Sequence, residues 1–261
     1  MVAIKKFFLD DYLVRNGLAL DKKQAQSWIM AGKILVDGQV VLKRGQKVGA
    51  KNQIAIKEGP KFVSRGGDKL ESALRYFGID VKDKICLDIG ASTGGFTDCL
   101  RQRGARLVYA LDCGKNLLHE KLRRDQQVID ISGVNFRYFP SVAKQFINYP
   151  IDLVVIDVSF ISLKLILVAL QSVLVQTNSQ MVDILALVKP QFEAKYSEVR
   201  NGLVKDRMII RRCLAEVARR AAELNFIVKD SVPSALSGAR GNSEQFLWLK
   251  FSGFSIIQES D

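Results

Sequence analysis

Histidine is almost absent. The chain of 261 residues has one, His119, and no matching ligand pattern lies near it. A histidine-based triad or a zinc site is therefore hard to build. Cysteine is scarce too: Cys86, Cys99, Cys113 and Cys213 form no C-x-x-C pair and show no metal spacing. They sit in apolar or helical contexts and are expected as reduced core residues, with no metal implied. Long apolar runs are missing. The longest, Ile161 to Val175, is interrupted by Lys164 and Gln171 and is too short to span a bilayer. Near the start, Lys5 and Lys6 precede Phe7-Phe8-Leu9, but Asp10 and Asp11 stop any signal-peptide core. These absences predict a soluble cytoplasmic protein without a membrane partner.

Acid is in deficit. Against 27 Asp and Glu stand 39 Lys and Arg, a net charge of +12, which favours a polyanionic partner, nucleic acid before membrane. Hydrophobic content of 48% is enough for a real core and argues against disorder. The length allows one sizeable α/β domain plus a small module. The charge is uneven: residues 1–60 carry eleven basic groups and five acids.

That N-terminal stretch has its own logic. Lys6 to Asn16 reads as a helix with Phe7, Leu9, Leu13 and Val14 on a rough apolar face. Asp21 caps a second helix, Lys22 to Ala31, which Gly32 ends. Asp37-Gly38 between Ile34-Leu35-Val36 and Val40-Val41-Leu42 is a hairpin signal, and a strand follows at Gln53 to Ile56. The pattern Asp11-x-Leu13-Val14-x-x-Gly17-Leu18, then Ala25-x-x-x-Ile29-x-x-Gly32-x-Ile34-x-Val36-Asp37-Gly38, resembles the small αL-type RNA-binding module of a ribosomal small-subunit protein, pseudouridine synthases and some tRNA synthetases. Asp21-Lys22 stands where such modules often carry Ser-Arg, so cap and charge are both kept. Arg15, Lys22, Lys23 and Lys33 are the expected phosphate contacts, which give affinity with little sequence choice.

Gly59-Pro60-Lys61 marks a linker. The expected organisation is an RNA-binding domain over 1–58, a linker over 59–65 and a catalytic domain over 66–261. Ser64 to Gly67 form a turn, and Asp68 caps a helix running to about Phe77. From Lys84 onward, strands and helices alternate. Strands are expected at 85–89, 106–111, 127–129, 153–156, 184–188, 226–230 and 245–250, and helices near 97–103, 141–146, 163–175 and 206–224. Alternation with short loops predicts a parallel, doubly wound α/β sheet. The last two strands have no helix between them and are expected to pair as an antiparallel edge.

Ligands in such sheets sit beyond the carboxyl ends of the strands. The first strand ends in Asp88, followed by Gly90-Ala91-Ser92-Thr93-Gly94-Gly95 and a helix start. The spacing is neither G-x-G-x-x-G nor G-x-x-x-x-G-K-[ST], so a phosphate cradle is not the first choice; the turn either cradles another ligand or holds none. Asp112 closes the second strand, where a ribose-binding acid belongs, although a turn residue before Gly114 would look the same. Asp157 and Lys189 close two further apolar strands and face one crevice, as a functional pair or as a structural salt bridge.

Ser64-Arg65-Gly66-Gly67-x-Lys69-Leu70, Asp88 to Thr97, Asp157-x-Ser159-Phe160-Ile161-Ser162-Leu163, Leu187-Val188-Lys189-Pro190-Gln191-Phe192-Glu193 and Gly241-Asn242-x-Glu244, in that order, resemble the TlyA family. Its members are S-adenosylmethionine-dependent 2′-O-methyltransferases of ribosomal RNA with an FtsJ-like catalytic domain, and some carry the name haemolysin. The resemblance implies a Rossmann-like class I methyltransferase sheet, mostly parallel with one antiparallel edge strand. It implies a Lys-Asp-Lys-Glu tetrad at Lys69, Asp157, Lys189 and Glu244, with Lys189 as base, Asp157 as its orienter, and Lys69 and Glu244 as positioners of the ribose. It implies S-adenosylmethionine bordered by Gly90, Ser92 and Gly94, with Asp88 beneath the turn and Asp112 at the ribose hydroxyls. Ser132-Gly133-Val134 replaces the acid-and-arginine pair that family members often carry, which leaves Asp130 for the adenine edge. Arg65 joins the RNA contacts. The implied substrate is a cytidine in ribosomal RNA, free, in a subunit or in the assembled ribosome, and a monomer is expected. Two other classes are a non-catalytic ribosome-assembly factor and a membrane-active protein. The full set of four charged residues argues against the first, and the absence of a secretion signal or spanning segment argues against the second.

Overall fold

The computed structural model describes residues 6–57 and 59–253; residues 1–5, Glu58 and 254–261, which belong to the expected N-terminal and C-terminal segments, lie outside the described residues. The chain forms two compact units, Met1–Lys61 and Phe62–Asp261.

In the first unit, the Asp21 carboxylate accepts a hydrogen bond from Gln24 N at 2.7 Å and starts the helix Lys22–Met30. The preceding helix is shorter than its periodicity suggests, Leu9–Arg15, because Phe7–Phe8 pairs antiparallel with Lys47–Val48. Backbone pairing has taken the apolar residues that began the helical pattern. Asp37 and Gly38 both have positive φ, 52° and 80°, as a tight hairpin between Ile34–Val36 and Gln39–Val40 requires. Ile54–Ile56 completes the sheet. Leu9, Leu13, Ala25, Ile29, Ile34 and Val48 fill the core.

The second unit is built on a sheet of β1 (Ile85–Ile89), β2 (Leu107–Asp112), β3 (Val128–Ser132), β4 (Leu153–Ile156), β5 (Val182–Val188), β6 (Ile227–Pro233) and β7 (Gln245–Phe251). The spatial order is β6-β7-β5-β4-β1-β2-β3. β1 to β4 and β5 pair in parallel, whereas β7 runs antiparallel to both β5 and β6. The two last strands do pair at one edge. The reversed strand, however, lies one place in from that edge, and β6 is outermost. Short apolar strands such as Leu153-Val154-Val155-Ile156 are buried at every position because helices cover both faces.

On one face pack α1 (Gly66–Phe77) and α2 (Gly95–Gln102); on the other, α3 (Leu163–Gln176) and α4 (Arg207–Glu223). α1 starts at Gly66, so Asp68 lies inside its first turn and caps nothing. Ser64 O accepts from Gly67 N instead, and Phe62 packs so tightly on Gly67 that a Cβ there would lie 2.2 Å from the ring. Ser162 and Asp206 cap α3 and α4. Sequence order reverses between β1 and β4, which opens a crevice at their carboxyl ends.

Candidate active site

The crevice at the β1/β4 switch holds a cleft of about 620 Å³. Lys69, Asp157 and Lys189 line it, and Glu244 is buried behind Lys69, so two lysine–carboxylate pairs meet there. Lys69, from α1, places its Nζ 2.6 Å from Glu244 Oε2. Lys189, at the end of β5, places its Nζ 2.7 Å from Asp157 Oδ1 and donates a hydrogen bond to Ser159 Oγ at 2.9 Å. The Lys189–Asp157 contact is an ion pair, not an aligned hydrogen bond. All four side chains are largely shielded from water, with Glu244 most deeply buried at 4% exposure. The expected quartet is thus present as two ion pairs on elements far apart in sequence.

Local rules hold these groups still. Pro190 follows Lys189 and starts the short helix Pro190–Glu193. Its last residue, Glu193, accepts hydrogen bonds from Ser162 Oγ and Leu163 N, both at 2.6 Å. Burial raises the Glu193 carboxyl above the usual range, partly opposed by those donors. Glu193 therefore ties the loop after Asp157 to the loop after Lys189. Gly238 leaves room for the acid of the other pair; a Cβ there would sit 1.9 Å from Glu244 Oε1.

The glycine turn is shaped by close approach. Gly90 has φ +88°, and a Cβ there would lie 2.6 Å from the Asp157 carbonyl oxygen. Ser92 takes the left-handed conformation, φ +49°, and its N–H donates to Asp112 Oδ2 at 2.8 Å. Asp112 Oδ1 accepts from Gly114 N at 2.8 Å. Asp112 thus holds the turn, and each oxygen keeps a lone pair for a hydroxyl. Gly90 and Ser92 line the cleft; Gly94 packs beneath it against Leu118 and Leu122. Asp130 is exposed within β3, away from the cleft lining.

Asp88 is fully buried under the turn. Thr97 Oγ1 donates to its Oδ2 at 2.6 Å, while Oδ1 has no partner. Burial pushes its carboxyl up to about 7, with the Thr97 hydroxyl acting the other way. In the unfolded chain the group titrates near 4. Between these values the folded state keeps a proton that the unfolded state has lost, so stability falls as pH rises through this window. Asp88→Asn removes this slope. In urea titrations at about pH 5 and about pH 8, the variant gains on the native protein at the higher pH; a pH-independent difference would refute the buried titration.

The features suit S-adenosylmethionine. A glycine-rich turn gives a methionine moiety close backbone access, and an orphaned buried carboxylate oxygen lies under it. Arg65 lines the same cleft and reaches the Ser237 carbonyl at 3.4 Å. Of the basic residues expected to meet RNA in the first unit, Arg15, Lys23 and Lys33 are exposed, and Lys22 is paired with Asp11 at 2.8 Å. Sequence reasoning passed over Phe160. Its ring is 92% exposed beside Ser159, its φ is +64°, and it rests on Phe192 with centroids 5.2 Å apart. A large aromatic in a strained conformation and in water was the available signal. Cys113, expected in the core, is exposed; the other three cysteines are buried. Among the described residues, no helix is long and apolar enough to cross a membrane.

Comparisons with known proteins bear on this site. Residues 62–251 match the FtsJ-like methyltransferase model, and residues 9–54 match the S4 domain. A candidate rRNA methyltransferase of Bacillus subtilis, YqxC, is 42% identical over 251 residues, covering 95% of this chain and 87% of that protein. The 16S/23S rRNA (cytidine-2′-O)-methyltransferase TlyA of Mycobacterium tuberculosis is 41% identical over 245 residues, covering 93% and 89%. A solved structure of a candidate hemolysin from Streptococcus thermophilus superposes with a TM-score of 0.71 at 40% identity, covering 97% of this chain and 90% of that one.

Proposed function

The chain belongs to the FtsJ-like methyltransferase family, with an S4 domain ahead of the catalytic unit, and on that footing we propose that it methylates the 2′-oxygen of a ribose, that of a cytidine, in ribosomal RNA. The observation that carries this reading is the pairing of Lys189 with Asp157 and of Lys69 with Glu244 in one glycine-walled cleft.

A ribose hydroxyl is a weak nucleophile until its proton leaves. Lys189 Nζ, in its uncharged amine form, accepts that proton, and Asp157 and Ser159 aim the nitrogen. Lys69, held by Glu244, donates to the ribose and keeps its oxygen in line. S-adenosylmethionine, when bound, would supply an electrophilic methyl group on its sulfonium, whose transfer to the ribose oxygen would leave a neutral thioether. Gly90, Ser92 and Gly94 shape the turn that would hold it, with Asp88 below and Asp112 toward the ribose; Asp130 lies outside the cleft lining. Phe160 offers an exposed face on which the target base stacks.

Affinity for the polyanion comes from Arg65 in the catalytic unit and from Arg15, Lys22, Lys23 and Lys33 in the S4 domain. Every catalytic group comes from one chain, which suits a monomer, and the ribosomal substrate suits a cytoplasmic site of action. The test is transfer of labelled methyl from S-adenosylmethionine to ribosomal subunits from cells lacking this gene, followed by mapping of 2′-O-methyl positions. Label confined to one or a few ribose oxygens is expected; label on bases, or none, overturns the reading.

A further inference from the structure

A second cavity, of about 830 Å³, adjoins the catalytic cleft. Arg240 lines both and is their shared wall. The other walls of the second cavity include Gln191, Tyr196, Arg200 and the Asn201-Gly202 pair. The size suits a nucleotide.

The walls are built in advance. Arg200 and Leu203 exchange backbone hydrogen bonds at 3.0 and 2.9 Å, closing a tight hairpin. Asn201 and Gly202 at its tip have φ of 52° and 75°, as a type I′ turn requires. Asn242, 2% exposed, accepts from Val204 N at 3.1 Å and donates to Gly202 O at 2.7 Å. Asn242 stands two residues before Glu244, so the hairpin is fastened to the catalytic loop. Arg240 itself adopts φ +57° and donates to Asn201 O at 2.7 Å. A Cβ on Gly202 would lie 2.9 Å from Arg240 Nη1, so glycine leaves space for the guanidinium. Tyr196 projects from a turn that Glu198 pins to α4 through a two-pronged pair with Arg212. The tyrosine is 97% exposed, although its backbone is held. Gln191 Oε1 is buried and lacks a partner.

We infer that this groove is a nucleotide subsite that binds the residue next to the methylated one on the same RNA strand. Arg200 and Arg240 meet the phosphate, Tyr196 stacks on the base, and the Gln191 amide reads a base N–H. The ring, the two guanidiniums and the unpartnered amide oxygen match the parts of a nucleotide, and the shared wall at Arg240 sets the subsite directly beside the catalytic cleft.

The inference rests on the methylation reading, and the test separates the two. With the full chain and ribosomal subunits from cells lacking this gene, Tyr196→Ala and Arg200→Ala are expected to lower kcat/KM for the subunits about five- to tenfold, the loss falling on KM. Arg200→Ala also makes the salt dependence shallower by about one ion. Tyr196→p-benzoylphenylalanine is expected to cross-link under light to the nucleotide adjoining the methylated one. Absence of methyl transfer by the native protein defeats the methylation reading. Native transfer with both alanine variants unchanged, or a cross-link only to a ribosomal protein or to distant RNA, overturns the subsite alone.

Discussion

Lys189→Ala abolishes most methyl transfer, lowering the rate about 10²- to 10⁴-fold, the usual worth of a positioned general base. The side chain sits between Asp157 at 2.7 Å and Ser159 at 2.9 Å, a geometry that aims one nitrogen into the cleft. Alanine leaves the glycine turn and its packing intact, so binding of S-adenosylmethionine, measured by calorimetry, stays close to native. Equal loss of cofactor binding and turnover would instead assign Lys189 a structural role. Single-turnover rates on ribosomal subunits give the chemical step directly.

Glu244→Ala has the largest expected effect on stability. Removing one partner of a buried ion pair strands the other charge and costs about 3–5 kcal/mol. The Lys69 side chain is 12% exposed and the Glu244 side chain 2%, so Lys69 would lose its counter-ion in a poorly hydrated place. Urea denaturation measures the loss. The double variant Lys69→Met/Glu244→Leu separates folding from chemistry, because replacing both charges by apolar groups of similar volume is often neutral or stabilising. It is expected to recover stability while methyl transfer stays low. Recovery of both would remove Lys69 and Glu244 from the reaction.

Much of this was legible in the residues. An apolar strand ending in Asp88 and a glycine-rich turn carry their own geometry, since Gly90 faces a carbonyl 2.6 Å from where a Cβ would be. Lys189 and Asp157 each follow a buried strand, and parallel sheets collect strand ends. Boundaries were less legible. Phe7 fits a helical stripe, but tertiary pairing of Phe7–Phe8 with Lys47–Val48 took it into a strand. Asp68 has the chemistry of a cap, yet the Ser64 turn opens α1 two residues earlier. The reversed β7 slots between β5 and β6 because partner choice in a sheet depends on long-range packing. Glu193, Phe160 and the Arg200–Leu203 hairpin escaped notice for another reason: their roles depend on side-chain contacts between segments that periodicity cannot relate.

The closeness of Gly90 to the Asp157 carbonyl has a thermodynamic consequence. The turn at Gly90 and the backbone of Asp157 approach so closely that no side chain fits between them, and a shift of one bears on the other. Any factor by which a methyl donor seated at the turn alters the affinity for RNA is the factor by which RNA alters the affinity for the donor. Order of addition then governs rates only; the coupling constant, read by titrating each ligand in the presence of the other, is one number shared by both.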